Sequence, residues 1–307
     1  MSRRRKGNPV SGWVIVDKPE GPTSTQIVGI VRRLLNAQKA GHAGTLDPLA
    51  NGILAIALGE ATKTIPFIMD AEKTYRFTVR WGVATTTDDA EGDTCQTSDV
   101  RPQKADIEAA LATFVGEISQ VPPIFSAIKV NGERAYDLAR AGEDVVLKAR
   151  TVEIFDAELV KVLDEDHAEI EIHCSKGTYV RSLARDLALK LGTCGHVSEL
   201  RRTAIGPFVE ELSIPLDKLK ELGHSAPARL TSVDILRPIA TALDDIPALA
   251  LNGNDASRLQ RGQSVLLRGR DAPILDGTVL ATHRGDPVAL TEYVGGELKP
   301  VRVFNLP

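Results

Sequence analysis

The stretch Gly41-His42-Ala43-Gly44-Thr45-Leu46-Asp47-Pro48-Leu49-Ala50-Asn51-Gly52 decides how this chain reads. Its glycines and its proline are too dense for a regular element, and the spacing predicts a shaped loop. One carboxylate, Asp47, stands between Leu46 and Pro48. Proline disfavours helical geometry at the residue before it and fixes the backbone that follows, so a side chain at Asp47 is rigidly presented. Taken alone, the same dipeptide is an ordinary Asp-Pro turn.

Outward from this loop the elements alternate. Ile53 to Leu58 is a short unbroken apolar run ending at Gly59, the pattern of a strand buried on both faces. Upstream, Trp13 to Val16 reads as a strand and Pro19, Gly21 and Pro22 as a turn. A helix follows, capped by Thr23 or Ser24, with Ile27, Ile30, Val31, Leu34 and Leu35 on one stripe. Tyr75, Phe77, Val79 and Trp81 alternate with Arg76, Thr78 and Arg80, a strand that begins at Tyr75 and turns its aromatics to one side. Ile107, Leu111, Phe114 and Val115 mark a further helix, and Asn131-Gly132 a tight turn. Ile170, Ile172 and Cys174 alternate with charged residues before Lys176-Gly177-Thr178 turns the chain into a helix capped by Thr178. That helix carries Val180, Leu183, Ala184, Leu187, Ala188 and Leu191 on its apolar stripe, with Arg181 and Arg185 one turn apart and off it.

A chain of 307 residues, 43% hydrophobic and 25% charged, has material for a main domain and at least one smaller unit. Its longest apolar runs fall far short of the roughly 20 residues that cross a bilayer, so no membrane span is expected. The opening shows no apolar leader core and instead runs through Arg3, Arg4, Arg5 and Lys6, a basic arm on a chain expected to be cytoplasmic. Cys95, Cys174 and Cys194 are odd in number and widely spaced, which suggests neither a disulfide framework nor a thiolate zinc site. The net charge of −4 makes no global case for nucleic-acid binding. Between Lys176 and Arg202, however, six basic side chains stand against two acidic ones. This is either a basic binding face or an ordinary solvated helix face. Asp88, Asp89, Glu91, Asp93 and Asp99 look at first like a calcium loop, but a register starting at Asp89 puts Thr94 where that loop needs glycine. Phosphate-loop, nucleophile-elbow and zinc-protease signatures are absent from the sequence.

The Gly41 to Gly52 stretch resembles the catalytic motif of the TruB family of tRNA pseudouridine synthases. Four further segments agree in order and spacing: Asp17-Lys18-Pro19 with Gly21-Pro22-Thr23-Ser24, Lys73-Thr74-Tyr75, Lys176 to Leu187, and Leu200-Arg201-Arg202. The likeness covers about residues 12 to 210, with Ala43 and Asn51 as its minor departures. It implies an α+β pseudouridine synthase fold, a mixed and largely antiparallel central sheet with flanking helices, followed by a small PUA-like β-barrel. It also implies isomerisation of uridine-55 in the T-loop of tRNA to pseudouridine. In that reaction the N-glycosidic bond breaks, the uracil rotates and C5 joins the ribose, with no redox change and no cofactor or metal.

The same likeness assigns Asp47 as the essential carboxylate, acting as a nucleophile on base or sugar or by steering proton removal. Tyr75 would stack on the uracil and offer its hydroxyl for a later proton transfer, and Arg181 would pair with and orient Asp47. Substrate contacts fall to His42, Lys18, Lys63, Tyr179, Leu200, Arg201 and Arg202, with Lys18 and Lys63 open to a structural role instead. A stacked uracil cannot reach a side chain, so base flipping is required, and the basic segment from Lys176 to Arg202 would help offset its cost. The expected organisation is a basic arm (1–11), a catalytic domain (12–212), a helical connector or C-terminal part of the TruB region (213–247) and the PUA-like RNA-binding unit (248–307). The partner is the T-stem-loop of tRNA, with no obligate protein partner. Two alternatives stand beside this reading: a tRNA-binding and folding factor without catalysis, and a guide-RNA-dependent relative.

Overall fold

The computed structural model describes residues 7–126, 128–130, 132–140, 146–232, 234–267 and 275–306. In chain order the first half contains β1 (Gly12–Lys18), α1 (Ser24–Leu34), β2 (Ala40–Ala43), β3 (Ala50–Leu58), α2 (Ile65–Asp70), β4 (Lys73–Trp81), β5 (Val83–Thr85), β6 (Thr94–Thr97), α3 (Lys104–Ala112) and β7 (Gly116–Gln120). Then come β8 (Lys129–Val130), β9 (Glu133–Arg134), α4 (Ala135–Arg140), β10 (Arg150–Val162), β11 (His167–Cys174), α5 (Val180–Lys190), β12 (Gly195–Ile205), β13 (Phe208–Val209), β14 (Ile214–Pro215), α6 (Leu216–Ser225) and β15 (Leu236–Arg237). The chain ends with β16 (Ala248–Ala250), α7 (Gly253–Gln260), β17 (Val265–Leu266), β18 (Gly277–His283), β19 (Asp286–Val294) and β20 (Glu297–Val303).

The main sheet runs β14-β1-β3-β12-β4-β11-β10-β7, with β2 on β3, β13 on β12 and β15 on β1. Only the β3–β12 and β1–β14 ladders are parallel, so the sheet is mixed and largely antiparallel, as the resemblance implies. Side chains alternate across it. Val14, Val16, Leu54, Ile56, Phe77, Val79 and Trp81 face one side, where α1, α3, α5 and α6 bury Ile27, Ile107, Leu183 and Leu219 against them. Trp13, Ile15, Ile53, Ala55 and Ala57 face the other. The double burial read for Ile53 to Leu58 is therefore real, and each face has its own cover.

That second cover is the C-terminal unit. Leu280, Leu290 and Phe304 share one apolar cluster with Trp13, Ile53 and Phe208, and Lys63 Nζ donates to Val303 O at 2.6 Å across the same seam. The expected small barrel is present as a half-barrel, a five-stranded sheet ordered β16-β18-β19-β20-β17 with no ladder from β16 to β17 among the described residues. Its helix α7, absent from the sequence reading, buries Ala256 and Leu259 against Val279 and Leu298. Residues 213–247 do not form a separate connector. β14 and β15 both pair with β1, and Leu216, Leu219, Leu230 and Ile235 belong to the main core.

Smaller differences have tertiary causes. The shaped loop is shorter than expected, because β2 takes Ala40–Ala43 and Ala50 to Gly52 pair in parallel with Leu200 to Arg202. β4 begins at Lys73 rather than Tyr75, since Cys174 and Ile205 pair with Lys73 on its two sides. Thr23, not Ser24, caps α1 in a capping box with Gln26. α5 starts after Tyr179, because Thr178 Oγ1 donates back to Ser175 O while Gln120 Oε1 accepts the Tyr179 N–H. α3 stops at Ala112, short of Phe114 and Val115. A two-strand ladder flanks the predicted Asn131-Gly132 turn, of which Asn131 lies outside the described residues, as do Arg3 to Lys6 of the basic arm. Phe304→Ala should empty a site shared by both sheets and lower the unfolding free energy by about 3–5 kcal/mol in urea denaturation. A loss below about 1 kcal/mol would mean the two sheets do not share a core.

Candidate active site

Residues 44–49 cross the middle of the fold without a ladder, so their polar backbone groups need other partners. Two buried cations and one hydroxyl supply them. Lys18 is fully buried, and its ammonium donates to Ala50 O at 2.5 Å, Pro19 O at 3.0 Å and Pro48 O at 3.2 Å, which uses all three of its protons. Arg202, 1% exposed, donates from Nε to Ile53 O and from Nη2 to Gly44 O. Ser24 Oγ accepts the Leu46 N–H and donates to Leu46 O, which holds the residue before Asp47 from both sides. Glycine is required where the loop meets Arg202. At Gly52, with φ +96°, a Cβ would sit 2.3 Å from Arg202 O, and at Gly44, with φ +78°, one would sit 3.1 Å from the guanidinium.

Asp47 opens into a cleft of about 330 Å³ lined by Lys73, Tyr75, Tyr179, Arg181, Leu200 and Arg202. Arg181 Nη2 lies 3.0 Å from Asp47 Oδ2, with the arginine side chain 7% exposed and the carboxylate 39% exposed. The same guanidinium donates to Asp89 Oδ2, to Thr87 O and to Phe125 O. Asp89 is itself 2% exposed, and its other oxygen accepts the Thr87 hydroxyl and the Glu91 N–H. Arg181 is thus a fixed junction of three loops, and Asp47 is its one ion-pair partner that opens to the cleft. Burial raises the Tyr75 phenol above its ordinary pKa against the pull of Arg202, so the hydroxyl is neutral at rest.

Asp47, Tyr75 and Arg181 therefore converge, and Tyr179, Leu200 and Arg202 join them. The remaining expected contacts lie elsewhere. Lys18 holds the loop from beneath rather than reaching outward; burial lowers its pKa, and the Asp47 and Glu20 charges oppose that shift. Lys63 pairs with Glu60 and ties the C-terminal strand, outside the cleft. Arg201 points to the opposite groove, bound to Asp17 and Glu210. His42 sits on β2 outside the cleft lining, with burial and Arg202 holding its imidazole below the usual histidine range. The basic segment is largely neutralised internally: Lys176 pairs with Asp70, Arg181 with Asp47 and Asp89, Arg185 with Asp88 and Asp186, and Arg201 with Asp17 and Glu210. Its expected role as an RNA-facing charge reserve does not survive this pairing.

Two groups escape the sequence reading, Asp89 buried behind Arg181 and Lys73 in the cleft lining. Asp89 lay inside the acidic section set aside as a spoiled calcium loop, and no spacing rule ties it to Arg181. Lys73 was read only as part of a strand start. Its ammonium donates to Met69 O and Ala71 O, and burial, helped by Arg202, lowers its pKa to about 8. An NMR titration of the Lys73 amine should give a midpoint near 8; one near 10.5 would contradict this environment. Between those values the unfolded chain keeps a proton that the folded chain has released, so this group's contribution to stability rises with pH across that window. Lys18→Met keeps the apolar stem but takes the ammonium from three carbonyls, of which Pro48 O keeps the Gly21 N–H. It should cost about 3 kcal/mol in denaturant unfolding, and an unchanged midpoint would dismiss Lys18 as the pin of the loop.

Comparison with known proteins identifies the family. The profile described as "TruB family pseudouridylate synthase (N terminal domain)" matches residues 32–180, and "tRNA pseudouridylate synthase B C-terminal domain" matches residues 181–244. The chain is 56% identical to the tRNA pseudouridine synthase B of Caulobacter vibrioides over the full length of both. It is 57% identical to that of Bradyrhizobium diazoefficiens, over 99% of this chain and 88% of the relative. Among solved structures, a chain of an archaeal box H/ACA ribonucleoprotein shares the fold with a TM-score of 0.73 at 24% identity, over 99% of this chain and 93% of that one. On these matches the chain belongs to the TruB family of pseudouridylate synthases.

Proposed function

We propose that this chain isomerises uridine-55 in the T-loop of tRNA to pseudouridine, acting alone and with Asp47 as its essential carboxylate. The observation that carries the reading is the Asp47–Arg181 ion pair, set at the cleft beside Tyr75 and Leu200. The target base must leave its stack at a cost of a few kcal/mol before it can enter this space. Tyr75 and Leu200 offer one aromatic and one aliphatic surface to hold it there. The glycosidic bond between N1 and C1′ then breaks, the ring turns and C5 bonds to the ribose C1′; the C5 proton leaves to solvent and N1 takes up a proton, so the product is an isomer of the substrate.

The raised pKa of Tyr75 favours stacking over service as a resting phenolate base. The C-terminal sheet is the proposed RNA-binding, PUA-like unit, and the cytoplasm the proposed compartment. Full-length likeness to proteins named tRNA pseudouridine synthase B supports the stand-alone enzyme over a guide-dependent one. The intact Asp47, Tyr75 and Arg181 speak against a folding factor without catalysis.

The test is tritium release from an unmodified tRNA transcript labelled at uridine C5, with no guide RNA or second protein. The wild-type chain should release the label. Asp47→Asn should bring release to background while tRNA affinity stays within about threefold. Undiminished release by Asp47→Asn would remove Asp47 from the chemistry, and wild-type release only on adding guide RNA would favour the guide-dependent reading.

A further inference from the structure

Helix α5 presents two arginines one turn apart, and each ties the same two neighbouring segments together. Arg181 joins Asp89 and Thr87 O to Phe125 O. Arg185 joins Asp88, Nη1 to Oδ2 at 2.8 Å, to Val121 O, from Nη2 at 3.0 Å. Ser182 adds a bond to Val121 O from between them, and Asp186 holds Arg185 Nε at 3.0 Å. The two arginines form successive rungs, about 6 Å apart along the helix. Only the first touches Asp47.

The backbone between the rungs is unusual. Asp88 has φ +60°, the left-handed region that aspartate enters only at a cost. Successive side chains of an extended segment point to opposite faces. The left-handed residue breaks that alternation, and Asp88 and Asp89 both meet α5. Two backbone bonds fix it there: Val197 N–H to Asp88 O at 3.1 Å, and Asp88 N–H to Thr85 O at 3.3 Å. Both side chains of the outer rung are mostly sheltered, Arg185 at 25% and Asp88 at 16% exposure.

Resting on the proposed isomerase reading, we propose that the Arg185–Asp88 ion pair positions Asp89, and through it Arg181 and Asp47. Arg185 and Asp88 are then positioning residues for the reactive carboxylate. The charge arithmetic gives the cause. Asp47, Asp88, Asp89 and Asp186 share two guanidiniums, and Arg181 is near enough to act electrostatically on Asp88 as well as on its own partners. Without Arg185, the unpaired Asp88 carboxylate repels the adjacent Asp89 and displaces it from Arg181, and the hold on Asp47 loosens. Arg185 lies off the apolar stripe of α5, so its removal takes charge from the site without opening the core.

The experiment is steady-state tritium release from the unmodified transcript by the full chain and four variants: Arg185→Gln, Asp88→Asn, Asp89→Asn, and Arg185→Gln with Asp89→Asn. Arg185→Gln should lower kcat about tenfold and leave KM within about twofold, the split expected of misplaced chemistry rather than lost binding. In the Asp89→Asn background the same substitution should cost less than about twofold, because the intermediary has already gone. Asp88→Asn tolerates the left-handed backbone and removes the stranded carboxylate, so its kcat should fall by about threefold, less than that of Arg185→Gln. If Arg185→Gln does not fold, Asp88→Asn decides the matter. Wild-type kcat in the folded variants, an effect confined to KM, or full multiplicativity with Asp89→Asn would each overturn the proposal. Absence of release by the wild-type chain would instead overturn the isomerase reading on which it rests.

Discussion

A loop that carries a cleft-facing carboxylate through the interior without a ladder leaves its own carbonyls in want of donors, and here two buried cations answer. Lys18 and Arg202 are almost wholly removed from water, an expensive state for charged groups. The cost is offset because Lys18 meets three carbonyl oxygens and Arg202 two, with the Asp47 charge nearby to support the ammonium. The same bonds that fix the loop hold its rigid arrangement around Asp47. Stability and orientation are one device here, since any motion that frees Asp47 also unpairs a buried polar group.

Arg202 and Gly52 show how this device depends on pairing distant in sequence. The parallel ladder of β3 with β12 aligns Gly52 with Arg202, and the antiparallel ladder of β12 with β4 aligns Arg202 with Tyr75. Loop, guanidinium and phenol are therefore brought together by two registers of one strand. A slip of one residue in either would turn Arg202 to the other face and empty both contacts. The apolar residues that β4 keeps on the helix face, beside a β3 buried against helices on one side and the C-terminal sheet on the other, oppose that slip.

What could be read from the sequence follows from how local each signal is. The strands at Ile53 to Leu58 and Tyr75 to Trp81 announce themselves by pattern, and Asp47, Tyr75 and Arg181 by likeness to a family. The loop's true limits were hidden because Ala50 to Gly52 becomes strand only by pairing with residues about 150 positions away. Asp89 was hidden for the same reason: an aspartate in an acidic stretch shows nothing of a guanidinium 92 residues further on. Lys18 shows the converse. Its position matched the family, yet its role was settled by burial, which no single residue declares. The C-terminal unit is legible only through the family likeness, and how far its sheet closes depends on which edge strands meet, which no local motif carries.

The segment from Lys176 to Arg202 makes the last point about charge. Counted along the chain it is the obvious cationic site, six basic residues in a molecule of net charge −4. In three dimensions four of those six hold carboxylates from elsewhere, and a fifth, Arg202, is buried on carbonyls. Arg32 and Arg33 on α1 drew no comparable weight in the sequence, yet both are exposed and make no ion pair among the described residues. Arginine owes its usefulness in an active site to a planar fork that satisfies several acceptors at once, and each acceptor so satisfied is one fewer bond for a phosphate. Charge counted along a segment and charge presented to a polyanion are different quantities, and in this fold the Asp47 cleft is built from the first.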